Sequence, residues 1–175
     1  MKTCGKCGGE SRIQPIERYQ LRKELMGGMQ IELRNVQALV CEKCGDVIRV
    51  DIPDRPGLLA AVAVTRSKEG RKLNGDEIRF LRKTMELTSA QLADELKVSD
   101  ETVSRWENGH LAIGSHAERI LRWKTCQKLG EKAPAIEWRD NEILSMNIVP
   151  VTQGFLTMVF HRVPYRRREQ WREAA

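Results

Sequence analysis

Short runs of alternating apolar and polar positions, read as short strands, lie within residues 1–52, and beyond them the period changes. Met29-Gln30-Ile31-Glu32-Leu33 alternates as a half-buried strand does. Val36 to Val40 forms a second short run, and Val47-Ile48-Arg49-Val50-Asp51-Ile52 alternates again. Gly27-Gly28 predicts a turn. Pro53 and Pro56 end this pattern, and Pro56 suits the first position of a helix over Gly57 to Ser67, a stretch rich in Leu, Ala and Val. Lys68 to Gly75 is polar and reads as a linker.

Four helix starts follow between residues 74 and 130. Asn74 precedes Asp76-Glu77, with Ile78, Leu81 and Met85 at helical spacing. Thr88-Ser89-Ala90-Gln91 and Ser115-His116-Ala117-Glu118 both read as capping boxes. Ser99 suits the cap of Asp100-Glu101-Thr102, whose acids favour the helix dipole. Further on, Ile148-Val149-Pro150-Val151 and Phe155 to Phe160 read as strands. The fold class expected is therefore α+β. A small β-rich module with its linker helix spans residues 1–70. An all-α helix-turn-helix domain of about five helices spans 71–130, and a short β-containing extension spans 131–175.

Two cysteine pairs sit in the β-rich module: Cys4-Gly5-Lys6-Cys7 and Cys41-Glu42-Lys43-Cys44. Two-residue spacing turns both sulfurs of a pair onto one ion. Four thiolates close a tetrahedral shell around Zn²⁺ and leave no open position, so a structural site is expected. Disulfides are the rival. No apolar run follows Met1-Lys2-Thr3, so no secretory signal is expected, and a cytoplasmic protein with these pairs favours zinc. No stretch has the length of a membrane span. Cys126 lies in an apolar helical pattern and is expected to be a buried small hydrophobe.

Net charge is +6, unevenly spread. Residues 71–130 carry eleven basic and nine acidic side chains, so DNA binding there must use a local face. Leu92, Ala93 and Leu96 on one short helix face Val103 and Trp106 on the next across a tight turn at Val98. That is the pattern of a helix-turn-helix, whose second helix lies in a major groove; a plain helical bundle gives the same periodicity. With Val103 and Trp106 inward, Asp100, Glu101, Thr102, Ser104 and Arg105 surround the outer face. Arg105 can grip guanine bidentately, and the acids can accept from cytosine; equally, Glu101 can pair with Arg105. Thr88, Ser89 and Gln91 open the preceding helix, where a phosphate fits, and Asn108 and His110 flank the following turn.

Ser104-Arg105-Trp106-Glu107-Asn108-Gly109, after Leu92-Ala93 and Val98-Ser99, resembles the Xre/Cro-type helix-turn-helix. The first part resembles the YgiT-type zinc finger, including Glu32-Leu33-Arg34-Asn35-Val36 before the second cysteine pair. In this order the two resemble MqsA-type antitoxins over about residues 1–130. The resemblance implies a homodimeric autorepressor on palindromic double-stranded DNA, with the zinc half contacting a cognate RNA-cleaving toxin. It puts Cys4, Cys7, Cys41 and Cys44 in the ligand places and Arg105 in that of the recognition-helix arginine. Glu101 stands where that antitoxin has a base-reading asparagine. A carboxylate cannot donate as an amide does, so no operator sequence carries over.

The expected function is thus a sequence-specific transcription regulator, with repression favoured. An antitoxin working mainly by protein neutralisation and a zinc- or thiol-responsive regulator are the alternatives. No enzyme is expected: His110, His116 and His161 are scattered, and no strand leads into a Gly-rich phosphate loop. The basic end, Arg166-Arg167-Arg168 and Arg172, reads as part of a solvated tail or as an arm on DNA phosphates, and the apolar strand before it as an extra dimer contact.

Overall fold

A computed structural model describes residues 3–22, 26–151, 157–165 and 168–174. Its sheet is organised around one long strand, β2 (Gln30–Cys41). β1 (Ser11–Gln20) runs antiparallel to it from Ser11 opposite Cys41 to Gln20 opposite Glu32. β3 (Val47–Val50) pairs antiparallel with its far end, with a register shift between Leu39 and Val40. The two runs expected as separate strands, Met29–Leu33 and Val36–Val40, fall on this single β2, with Met29 just before its first residue. Asn35 adopts φ 52, a left-handed position that asparagine tolerates, so the chain is locally deformed without the strand ending.

The C-terminal extension joins the same sheet. β4 (Thr157–Tyr165) lies parallel to the start of β2, from Gln30 opposite Thr157 to Leu33 opposite Phe160, and β5 (Arg168–Glu173) returns antiparallel to β4. Phe160 and Trp171 are buried. The Trp171 indole donates to the Pro53 carbonyl at 3.1 Å, and the Arg162 guanidinium stands 5.4 Å over its ring. The strand expected at Ile148–Val151 does not form. Val149 makes one isolated parallel bridge to Arg71, and Pro150 has no N–H to extend it. Of the Phe155–Phe160 run, Phe155 and Leu156 lie outside the described residues, as do Arg166 and Arg167; the rest opens β4.

α1 (Arg55–Lys68) starts as its prolines suggest. Asp54 caps it, accepting from the Gly57 N–H at 3.1 Å, and Pro56 sits in the first turn. Leu58 and Ala60–Val64 are all buried, as in a helix enclosed by its own fold. It packs against β5, α2 (Gly75–Thr84) and α5 (Ser115–Leu129). α3 (Ser89–Leu96) and α4 (Asp100–Glu107) lie between α2 and α5 in sequence, and a short α6 (Asp140–Leu144) follows. One apolar cluster runs from Ile31 and Leu33 through Leu58 and Val62 to Leu81, Leu92, Val103 and Leu121.

The Thr88–Gln91 capping box forms in both directions, as the sequence predicts, but the Ser115–Glu118 one does not. Gly114 takes the cap position of α5 without a side-chain bond, and Glu118 turns into the interior. There it accepts from the Leu73 N–H at 2.8 Å and from Arg122 at 2.7 Å. Arg122, equally buried, also donates to the carbonyls of Arg66, Ser67, Glu69 and Arg71. Arg66 in turn pairs with Glu77 of α2 at 2.7 Å. The polar crossing from α1 to α2 is therefore clasped by buried charge rather than left as a loose tether.

Candidate zinc knuckles and nucleic-acid interface

The two cysteine pairs fold into matching turns. The Gly8 N–H donates to the Cys4 carbonyl at 2.8 Å, and the Gly45 N–H to the Cys41 carbonyl at 2.9 Å. Both glycines follow the second cysteine of their pair and take left-handed φ values, 68 and 71. These turns bring the four sulfurs within 4.8 Å of one another, with Cys4 and Cys44 3.8 Å apart and Cys7 and Cys41 3.5 Å apart. A tetrahedral zinc–thiolate shell places its sulfurs about 3.8 Å apart. None of the cysteines is in a disulfide.

Electrostatics agree with a cation site. The N–H of Cys44, joined by that of Lys43, holds the Cys41 thiol down at about 7. The Gly9 N–H favours the Cys7 thiolate, but the neighbouring sulfurs and desolvation outweigh it and push that thiol up to about 12. Crowded sulfurs cannot all ionise together without a positive ion among them. Gly9 is small by necessity: a Cβ there would lie 3.1 Å from the Cys41 sulfur and 3.3 Å from that of Cys7. Geometry and donor set both fit zinc, held by Cys4, Cys7, Cys41 and Cys44. Cys126 stays apart, buried in α5, where burial pushes its thiol up to about 12.

The helix pair α3–α4 is built from complementary local signals. Thr88 and Gln91 cap each other's backbone, at 3.2 and 2.8 Å, which engages both side chains in folding α3. Ser89 is half-buried at the first position of that helix. Ser99 caps α4 through the Thr102 N–H at 3.1 Å, and the two hydroxyls meet at 2.8 Å. Within α4, Val103, Trp106 and Glu107 are buried, while Asp100, Glu101, Ser104 and Arg105 are exposed. Glu101 and Arg105 do not pair. Among the described residues the Arg105 guanidinium has no hydrogen-bond or ion-pair partner. Asn108 donates to the Ser104 hydroxyl at 3.3 Å and accepts from Arg79 at 2.9 Å, so it ties α4 back to α2. His110 is exposed in the turn beyond.

Sequence reading overlooked the group that seats α4. Glu107 is buried and receives Arg82 through two bonds, at 2.6 and 2.8 Å, and Arg79 at 3.3 Å. The Glu107 carboxylate raises the affinity of Arg82 for its proton. Gly75 lets α2 start against this end of α4, since a Cβ there would collide with the carbonyls of Trp106 and Glu107. An acid beside a core tryptophan, with two arginines one helical turn apart on α2, was the available signal.

Lys97 ends α3 in the left-handed region, at φ 56. This costs an L-residue about 1–2 kcal/mol, of which glycine's extra unfolded-state entropy offsets part. Lys97→Gly is therefore expected to stabilise the protein by about 0.5–1 kcal/mol in urea unfolding; an unchanged or lower midpoint counts against strain at this turn. Its exposed 3.1 Å pair with Asp94 contributes little.

A helix-turn-helix family model matches residues 78–115, the segment from α2 to the start of α5. No curated protein matches the chain. Among the described residues no helix is long and apolar enough to cross a membrane. The match suggests a DNA-binding regulator, and the four-cysteine cluster can hold zinc.

Proposed function

We propose that the chain is a sequence-specific transcription regulator that reads double-stranded DNA with α4 and is stapled at its N-terminal end by structural Zn²⁺. The observation that carries this is the division of α4. Val103, Trp106 and Glu107 fix the helix from behind, while Arg105 stands exposed beside Asp100, Glu101 and Ser104, its guanidinium without a partner among the described residues. An exposed arginine without an internal partner keeps its five donors for a ligand. Thr88, Ser89, Gln91, Thr102 and Asn108 then flank the contact as phosphate-side residues, their internal bonds limiting how much each adds. The reading takes the protein as a cytoplasmic homodimer on a palindromic operator, acting as a repressor.

Arg105→Ala is expected to weaken binding to the DNA upstream of its own gene by about 1–3 kcal/mol, with melting temperature unchanged. Anisotropy titration checks this, and equal affinity removes Arg105 from the interface. The order of zinc module and helix-turn-helix, with Glu32 to Val36 preceding the second knuckle, favours an MqsA-like antitoxin as the finer reading. A small stoichiometric partner co-purifying with the native protein supports that reading; upstream binding without one supports a free-standing repressor.

A further inference from the structure

Beside the seat of α4 lies a cleft of about 320 Å³, at the lower end of the range for small-molecule sites. Its walls come from the start of α2, the end of α4 with its following loop, and Pro150–Val151 of the C-terminal extension. The extension is pinned there by reciprocal backbone bonds, from the Lys72 N–H to the Val149 carbonyl at 2.8 Å and from the Val149 N–H to the Gly70 carbonyl at 3.0 Å. Ile78, Trp106 and Ile113 form buried apolar lining, while Leu111 and Val151 are 41% and 58% exposed at its edge. Apolar side chains gathered at one cleft, rather than scattered singly, mark a contact surface.

Charge selects the occupant. The clasp between α1, α2 and α5 holds three cations, Arg66, Lys72 and Arg122, against two anions, Glu77 and Glu118. The neighbouring Arg71–Glu69 pair balances itself. One positive charge is left over. Lys72 is the member that reaches solvent, with its side chain 30% exposed, whereas Arg66 is 3% exposed and Arg122 fully buried. Its ammonium donates to the Ile113 carbonyl at 2.6 Å and to Glu118 at 3.3 Å, which leaves one of its three donors.

We propose that this cleft binds a small apolar carboxylate, its hydrocarbon part against Ile78, Trp106 and Ile113 and its carboxylate at the Lys72 ammonium. Trp106 belongs to α4, so occupancy bears on the helix assigned to DNA above, but the binding itself does not depend on that reading. Calorimetric titration of the full chain with 4-phenylbutyrate, and separately with its neutral amide, tests it. The carboxylate is expected to saturate one site per chain, with the amide roughly tenfold weaker. Val151→Asp, which adds an anion to an exposed wall, is expected to weaken the carboxylate by a similar factor, and Ala112→Phe to block the mouth. Both positions are exposed, so melting temperatures stay unchanged. Absence of saturable heat up to about 10 mM overturns the proposal. So does equal binding of acid and amide, or wild-type affinity in both variants. If Val151→Asp instead dissociates a sedimenting dimer and the probe does not bind, the patch is a contact between copies, which also overturns it.

Discussion

Cys41→Ser, or removal of metal with a chelator, is expected to unfold the knuckle end of the sheet and lower the melting temperature of the whole chain. β1 is an edge strand with mostly exposed side chains, Ile13 being 65% exposed, and β3 is only half-covered. Little apolar burial holds these two strands on β2 where they meet the knuckles, so the cross-link between the two turns must supply much of the restraint. Structural zinc in small modules contributes on the order of 10 kcal/mol of apparent folding free energy. Serine cannot supply the thiolate that the Cys44 and Lys43 amides are placed to receive. The start of β2 has an independent anchor: Ile31 and Leu33 are buried, and β4 pairs beside them. Loss should therefore begin at Cys4–Gln20 and Cys41–Val50 and leave the helices folded at moderate temperature. Metal content by atomic absorption should fall from about one zinc per chain, and the strand signal in circular dichroism should fall with it. A metal-free protein with an unchanged spectrum and melting temperature would remove the structural role. DNA affinity measured on the same samples separates a passive staple, which leaves it intact below the melt, from a zinc-responsive regulator, which does not.

What could be read from the chain beforehand was what neighbours in sequence decide. Cysteine spacing, the glycine after each pair, and the caps at Asn74, Thr88 and Ser99 are local, and the structure builds knuckles and helices where they stand. β1 escaped notice because Pro15 interrupts it and Ile13 and Ile16 fall out of alternation, as an exposed edge strand permits. The place of the extension escaped because parallel pairing joins β2 to β4 across most of the chain, and no local pattern encodes that partner. Glu118 shows the ambiguity most clearly. Serine followed by glutamate three residues on is written the same way whether the acid reaches back to a cap or turns inward. The arginine four residues later, which makes the inward turn possible, reads as an ordinary solvated charge. Glu107 went unread for the same reason, its partners Arg79 and Arg82 lying on another helix. Of the proposed DNA-facing residues, the sequence period alone separated Arg105 from Trp106. It could not show that Thr88, Gln91 and Asn108 are already engaged within the fold.

Arg122→Met is expected to destabilise the protein by about 3–5 kcal/mol, because it takes from the buried Glu118 carboxylate its nearer counter-charge, at 2.7 Å, and leaves only the part-exposed Lys72 at 3.3 Å. Methionine fills much of the volume but donates nothing. Glu118 keeps the Leu73 N–H and a 3.3 Å contact with Lys72, while the buried Ser67 carbonyl loses its bond to Arg122 and the Glu69 carbonyl keeps only its 3.2 Å bond from Arg66. Arg66 still reaches the carbonyls of Arg71 and Lys72, so the crossing loosens rather than dissolves. Urea unfolding should show a lower midpoint; a loss below about 1 kcal/mol would mean the clasp is dispensable. The double variant with Glu118→Leu should recover part of the loss, since an apolar pair strands less charge, and the shortfall from additivity measures the coupling. The damage should also travel. The crossing ends at Asn74, whose capping box with Glu77 starts α2, and α2 carries the Arg79 and Arg82 that hold Glu107. Through that sequence of contacts the buried arginine of α5 sets where α4 stands. Operator affinity of Arg122→Met, measured well below its melting temperature, should accordingly fall although the substituted residue lies outside the proposed DNA face, and Arg105→Ala in the same background should then cost less than it does in the native chain.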